Sequence, residues 1–523
     1  MEAPRNLPAG IQSFEFLRTN NYLYVDKTAY IYRLVTKGKP YFLSRPRRFG
    51  KSLLLSTIEA YFQGKKELFD GLAIAGLEKK WMEYPVFHLD MNADKYRSME
   101  RLMNAIDKNL STLEDKWGKV ETERSPSTRL LGLIERAHKQ SGQLVVVLID
   151  EYDKPLLDTL HDQKLNEDIR DELQGFYGAL KTADKHLRFI FLAGITKFPH
   201  VSVFSTLNQL TDISLKAPYA GICGITEEEL LRNFQPELHA LADNNGQTYE
   251  EAVTEMKKRY DGYHFARTSP DVYNPYSVLN VLNDGEYRNY WFKTGTPTAL
   301  VKLVKQHGLP ASNMERDVWA RESDIEEFRV GQDNLIPFLY QSGYLTIKGY
   351  EKAFDTYQLG FPNQEVMYGF YENLLLQYAP ASTTPEFIPQ TFLKSLYAGD
   401  VDSFMNRIRS LFASIPYSKK NGGVRNEDFY QSVCFLLFKL LGQYAQIEQA
   451  SAQGRADLVV TTLDTVYVFE FKMMNNGTAE DALKQIHEKG YAIPYAAGTR
   501  KVVKIGAEFS EKERTVSRWL IER

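Results

Sequence analysis

Cysteine is nearly absent. Cys223 and Cys434 are the only two in 523 residues, which excludes a disulfide framework and a cysteine-built zinc site and fits a reducing, cytoplasmic setting. The nine histidines show no metal-ligand spacing. Long apolar runs are missing as well. Stretches such as Leu144 to Ile149 fall far short of the ~20 residues a membrane helix needs, and Met1 to Gly10 holds no apolar signal region. Nor does one sign of charge dominate. Lys+Arg 64 against Asp+Glu 67 leaves a formal charge of -3, so nothing draws the whole chain to a polyanion or a membrane, and any nucleic-acid recognition must rest on a local groove. Low-complexity tracts and internal repeats are also lacking, which excludes disordered, collagenous and coiled-coil classes.

What remains is a globular chain, 43% hydrophobic and 25% charged, long enough for two to four domains. The first ~220 residues alternate apolar β-rich runs with helical patterns: Pro40 to Ser44, the helix Lys51 to Phe62, Val86 to Asp90, Leu144 to Asp150 and Arg188 to Ile195. Continuous apolar strands separated by helices predict a parallel sheet covered on both faces. Residues 221–350 read as a helical lid or connector with Asp261-Gly262-Tyr263 and Asn274-Pro275 turns, and residues 351–420 give mixed signals. From 421 onward the pattern predicts the helix Asn426 to Leu441, two strands around Leu463-Asp464, the helix Thr478 to Lys489 and a strand at Lys501 to Ile505. That is an α-β-β-α-β unit of about 100 residues.

Two constellations carry chemistry. The first is Ser44-Arg45-Pro46-Arg47-Arg48-Phe49-Gly50-Lys51-Ser52 between a strand and a helix, where backbone amides and a helix N-terminus favour an anion. Lys51 is placed to reach β/γ phosphates and Ser52 to ligate Mg²⁺. Arg45 stands where a glycine is expected, which is tolerable only if the turn avoids a positive φ there. Arg45, Arg47, Arg48 and Lys51 form a phosphate-facing cluster, or a subset faces DNA. The strand Leu144 to Ile149 ends in Asp150-Glu151. Asp150 is placed to hold Mg²⁺, directly or through water, and Glu151 to polarise the attacking water. Thr196, after the strand ending at Ile195, is a candidate γ-phosphate sensor.

These residues resemble the phosphate loop of a bacterial AAA-ATPase-like family often joined to a PD-(D/E)XK nuclease domain. Val25-Asp26-Lys27-Thr28, Ile149-Asp150-Glu151-Tyr152-Asp153-Lys154-Pro155, Gly194-Ile195-Thr196-Lys197-Phe198, Phe204-Ser205-Thr206-Leu207-Asn208, Tyr273-Asn274-Pro275-Tyr276 and Thr294-Gly295-Thr296-Pro297-Thr298 share the likeness. In that family an arginine at the position of Arg45 is usual. The resemblance implies an ATP-binding P-loop NTPase domain.

The second constellation lies near the carboxyl end. Along Val466 to Lys472 side chains alternate, so Glu470 and Lys472 share a face and Phe471 points the other way. A tight hairpin about Leu463-Asp464 would bring Asp457 close to opposite Glu470. Two carboxylates and a lysine so arranged can bind Mg²⁺ or Mn²⁺, polarise a phosphate and activate water, with Lys472 stabilising the developing charge or orienting the nucleophile. Glu427 can add a carboxylate toward the metal or a supporting contact, and the Gln485 amide can bond a phosphate or Lys472. Taken alone, Glu470-Phe471-Lys472 is a solvated strand face worth under ~1 kcal/mol; Asp457, the element order, Glu427 and Gln485 turn the reading toward an active site. The spacing of Asp457, Glu470 and Lys472 resembles the PD-(D/E)XK core, and the flanking Asn426 to Tyr430 and Gln485 to Tyr491 resemble its helices. Gln431 departs from the family, where histidine is frequent.

The expected fold is therefore α/β: an N-terminal P-loop sheet (1–220), a helical middle, and a C-terminal restriction-endonuclease-like domain (421–523). The expected function is Mg²⁺-dependent ATP hydrolysis joined to cleavage of nucleic acid, DNA first. ATP would reposition the nuclease or load it onto DNA through the helical middle. An alternative is a nucleotide-controlled switch whose terminal domain binds nucleic acid or protein without cutting; a scaffold is a third. No membrane partner is expected, and a homo-oligomer with an intersubunit arginine finger is open, though no residue is singled out.

Overall fold

In the computed structural model the described residues are 6–197, 209–295, 318–326, 334–379, 382, 384, 387–415, 427–442, 446–447, 456–473, 476–496, 498–510, 512–513 and 515–523. The motifs at 198 and 204–208, and most of 294–298, lie outside them. The chain divides into two compact units, Met1–Leu300 with Asp317–Met367, and Tyr368–Arg523 with Val301–Arg316.

In the first unit the β-branched and aromatic runs become five parallel strands: β1 Pro40–Ser44, β2 Val86–Asp90, β3 Val145–Asp150, β4 Leu187–Gly194 and β5 Thr211–Asp212, in the order β2-β3-β4-β1-β5. Every residue of β3 is buried, as a central strand covered on both faces requires. Register sets the carboxyl ends side by side. Ser44 pairs with Gly194, Ile149 with Leu192 and Asp90 with Asp150, so loops leaving β1, β3 and β4 emerge along one rim, where ligands of open α/β sheets bind. The helix Lys51–Phe62 follows β1 directly. Met99–Trp117 and Pro126–Ser141 lie between β2 and β3, and Gln163–Thr182 between β3 and β4.

The middle of the chain is helical, with Glu227–Asn233, Gln235–Asn244, Tyr249–Tyr260 and Pro275–Asp284 closing over Leu230, Phe234, Leu241, Met256 and Val281. Three of the four start at a capping side chain, and Gln235–Asn244 has none. Thr226 and Thr248 make capping boxes with Glu229 and Glu251, and Asn274 accepts from the amides of Tyr276 and Ser277 ahead of Pro275. Short strands interrupt the helical pattern: β6 Ile225–Thr226 pairs with β7 Val272–Tyr273. β8 Val318–Arg321 and β9 Thr346–Glu351, within the stretch expected to be helical, form an antiparallel sheet with β10 Thr356–Gly360, which lies in the stretch that gave mixed signals. The helices Gln364–Tyr378, Pro389–Tyr397 and Val401–Ala413 follow.

The second unit is built on a mixed sheet of β11 Gln446–Ile447, β12 Leu458–Thr461, β13 Thr465–Met473, β14 Lys501–Ser510 and β15 Thr515–Glu522, in that order. β12 and β13 are antiparallel, β13 and β14 parallel with the helix Ala479–Glu488 between them in sequence, and β14 and β15 antiparallel. The two faces of β13 are filled differently. Tyr467, Phe469 and Phe471 meet the helices: Phe469 lies 5.2 Å from Phe404, Phe471 lies 5.1 Å from Phe438, and Tyr467 donates to the Leu396 carbonyl. Val466 and Val468 meet Ile486 and Tyr491 on the other side. The helix Ala479–Glu488 sits so close to β14 that a Cβ on Gly506 would strike the backbone of Ala479 and Leu483. Glycine is required there.

Candidate functional site

The loop after β1 turns through two left-handed residues, Arg48 (φ 65) and Gly50 (φ 87), whereas Arg45 is not left-handed. An arginine is therefore accommodated at its position without backbone strain. Lys51 opens the following helix and is buried, its Nζ donating to the carbonyls of Arg45 and Pro46 at 2.9 Å each. Burial lowers its pKa, and the charges of Glu151, Asp150 and Asp153 oppose that shift. The ammonium thus holds the loop around itself while facing the acids.

The arginines part company. Arg45 is 1% exposed and turned beneath the loop, donating to the carbonyls of Ser44 (2.9 Å) and Ser214 (2.8 Å) and lying 4.0 Å over the Phe265 ring. It does not join a phosphate-facing cluster. Arg48 is exposed and lies 5.0 Å over Tyr276. The carbonyl of Arg47 accepts from Trp291 Nε1 at 3.0 Å, and its charge acts on Glu151. Phe49 is buried against Tyr263 (4.7 Å) and Phe265 (5.4 Å), so its ring anchors the loop. Beside Gly50 a largely apolar cleft opens, with Tyr24, Lys27, Leu53, Leu54 and Cys223 among its lining residues. Lys27 is locked to Glu229 at 2.6 Å.

Asp150 and Glu151 stand at the end of β3 as expected. Asp150 is buried and its Oδ1 accepts the Glu151 amide at 2.9 Å. Glu151 is itself left-handed (φ 48), and burial is the largest cause raising its pKa. Thr196 comes to the same place, but fully buried, and its hydroxyl donates to Asp153 at 2.6 Å. Sequence reasoning singled out neither Asp153 nor Trp291. Asp153 lay inside the quoted acidic motif; Trp291 carried no local signal, because its partner is 244 positions away.

In the second unit the hairpin turns at Leu463-Asp464, closed by Thr462 N to Thr465 O at 2.8 Å. Leu458 pairs with Phe469, and continuing that register sets Asp457 opposite Glu470. Asp457 Oδ2 accepts the Phe471 amide at 2.8 Å. Glu470 is 3% exposed, and Lys472 Nζ reaches its Oε1 at 3.2 Å. Gln485 bridges the two: its Oε1 accepts from Lys472 at 2.6 Å, and its Nε2 donates to Glu470 Oε1 and to Tyr491 OH, the latter at 3.3 Å. Burial first, and then the Asp457 charge, push the Glu470 carboxyl up to about 7. Its other oxygen, Oε2, is buried with no hydrogen-bond partner among the described residues. A buried unpaired carboxylate oxygen is costly, and beside a second carboxylate it suits a divalent cation. Glu427 opens the helix Glu427–Leu441, but its side chain, like that of Gln431, lies outside the described residues. Among the described residues no group of three or more His, Cys, Asp or Glu side chains gathers as a metal cluster, and no helix is long and apolar enough to cross a membrane.

Comparison with known proteins falls on these two regions. Residues 8–204 match the family model described as predicted AAA-ATPase, and residues 425–519 match that of the PD-(D/E)XK nuclease superfamily. A relative described as an uncharacterized protein in the vnfD 5' region, from Azotobacter chroococcum mcd 1, is 37% identical over 523 residues, 99% of either chain.

Proposed function

We propose a function from the chain's family: it belongs to the AAA-ATPase-like proteins that carry a C-terminal PD-(D/E)XK nuclease superfamily domain, and in our reading it hydrolyses ATP at the first site and cuts nucleic acid, DNA above all, at the second.

At the first site Lys51 and the amides at the start of its helix would receive the phosphates, with Arg47 and Arg48 at the rim and the base in the apolar cleft beside Gly50. Ser52 and Asp150 would hold Mg²⁺, which supplies positive charge against the triphosphate. Glu151, made more basic by burial, would take the proton of the attacking water. At the second site Asp457 and Glu470 would hold Mg²⁺ or Mn²⁺, which polarises the phosphodiester. Lys472, fixed by Gln485, would stabilise charge on the phosphate oxygens or orient the water.

The observation that carries the nuclease half is the unpartnered Glu470 Oε2 opposite Asp457. A solvated strand face would leave no carboxylate oxygen buried and bare. The test is incubation with linear, circular and single-stranded DNA in Mg²⁺ or Mn²⁺, with and without ATP. Lys472→Ala should lose cleavage and keep ATP turnover, and Lys51→Ala should lose ATP turnover. A wild type that cuts no substrate with either metal would sink the nuclease half. ATP-dependent binding that survives Asp457→Ala without cleavage would favour the switch instead.

A further inference from the structure

The acidic end of β3 carries a carboxylate that the proposed chemistry does not use. Asp153 is 1% exposed, and its Oδ2 accepts three hydrogen bonds, from Ile195 N (3.0 Å), Thr196 N (2.6 Å) and Thr196 Oγ1 (2.6 Å). Its Oδ1 is buried with no hydrogen-bond partner among the described residues. One oxygen is saturated and the other bare, a distribution that costs more than an even one. The cost falls where two adjacent strands end. Ile149 of β3 pairs with Leu192 of β4, so Asp153 ties the turn leaving one strand to the residues leaving the next.

That turn is strained, because Glu151 is left-handed and such a conformation persists only where its surroundings over-determine it. Tyr152 N donates to the Ala193 carbonyl (3.2 Å), Tyr152 OH to the Thr196 carbonyl (2.8 Å), and Lys154 N to the Glu151 carbonyl (2.9 Å). The approach is so close that a Cβ on Gly194 would come within 2.6 Å of both Asp153 Oδ1 and the Tyr152 ring. The Tyr152 hydroxyl thus ends on Thr196, which Asp153 also grips, the Tyr152 amide ends on the adjoining end of β4, and the Lys154 bond closes the turn on itself.

We propose that Asp153 is a positioning residue for ATP hydrolysis: by gripping Ile195 and Thr196 it fixes the strained turn that aims Glu151, without touching nucleotide itself. This rests on the ATPase reading above. It also accounts for Thr196, whose hydroxyl serves the grip and not a phosphate.

The experiment uses the full chain with ATP and Mg²⁺. Steady-state turnover and binding of a non-hydrolysable ATP analogue are compared for wild type, Asp153→Ala, Asp153→Asn and Thr196→Val. Misaiming a reacting group by about 1 Å can cost on the order of 100-fold, so Asp153→Ala should lower kcat at least about 10-fold with KM and analogue affinity within about 2-fold. Asp153→Asn keeps an oxygen able to accept the same donors and should recover most of the rate. Thr196→Val, lacking one of three bonds, should lose about 2- to 3-fold. Unchanged kcat in Asp153→Ala overturns the proposal. So does parallel loss of turnover, analogue binding and melting temperature that Asp153→Asn fails to rescue, since that marks a merely structural carboxylate. Should Asp153→Ala not fold, a wild-type rate in Thr196→Val together with an inactive, folded Asp153→Asn overturns it too. Wild type without turnover removes the ATPase reading itself, a separate result.

Discussion

At the residue scale the decisive group is Glu470. Its carboxyl titrates near 7 in the folded chain, against an ordinary 4.5, because burial and Asp457 disfavour its charge. A carboxyl raised on folding contributes stability that is fully present below about pH 4.5 and is lost as pH rises through about 7. Without divalent metal, wild type should therefore lose melting temperature between those values more steeply than Glu470→Gln, whose amide does not titrate. Glu365, also pushed up to about 7 by burial, adds the same slope to both proteins and cancels in the comparison. At pH 8, Mg²⁺ should raise the melting temperature of wild type and not of Glu470→Gln. Equal slopes in the two proteins, measured by calorimetry, would refute the burial argument. Gly194 offers a second residue-level prediction. Gly194→Ala drives a methyl into Asp153 and Tyr152, so it should destabilise the chain by about 1–3 kcal/mol and slow ATP turnover beyond what that loss explains.

At the element scale, strands and helices with strong local signals were legible. β1, β2 and the helix Lys51–Phe62 have the bounds that their apolar runs and the closing Gly64 predict. The hairpin of β12 and β13 was legible too, because Leu463-Asp464 separates two β-branched runs. β15 was not. Thr515–Glu522 mixes Ser517, Arg518 and Glu522 with its apolar residues, and most of it is only half-buried, so it lacks a clean period and depends on pairing with β14. β8 to β10 escaped for a similar reason: Trp319 is exposed, Gly349 interrupts β9, and Gln358 sits inside β10. The partners of Lys51, Arg45 and Arg47 were hidden because they are set by main-chain carbonyls and by distant residues, Trp291 above all. Phe469→Ala empties a fully buried site between Phe404 and Phe471 and should cost about 3–5 kcal/mol in denaturant unfolding. Asn274→Ala removes two bonds to helix amides and should cost about 1 kcal/mol. A near-zero value for the first would mean that β13 is not held by its aromatic face.

At the scale of the whole molecule, a chain of net charge -3 has no diffuse attraction for DNA. On the proposed function, duplex binding by Glu470→Gln, which should not cleave, should therefore fall only gently with salt, with a log–log slope of about -2 to -4 for a local groove. Fluorescence anisotropy between about 50 and 200 mM KCl reads it, and a slope beyond about -8 would reveal an extended basic surface. The hairpin in the second unit reaches further still. Because strand side chains alternate, one extra residue between Thr462 and Thr465 would swing Asp457 to the opposite side of the sheet from Glu470. All the motif letters would survive, and the cleavage proposed for this site would be lost. Among kindred genes, then, the length of that short bend should be guarded as strictly as the acids themselves, and a pattern search with elastic gaps would count inert copies as active ones.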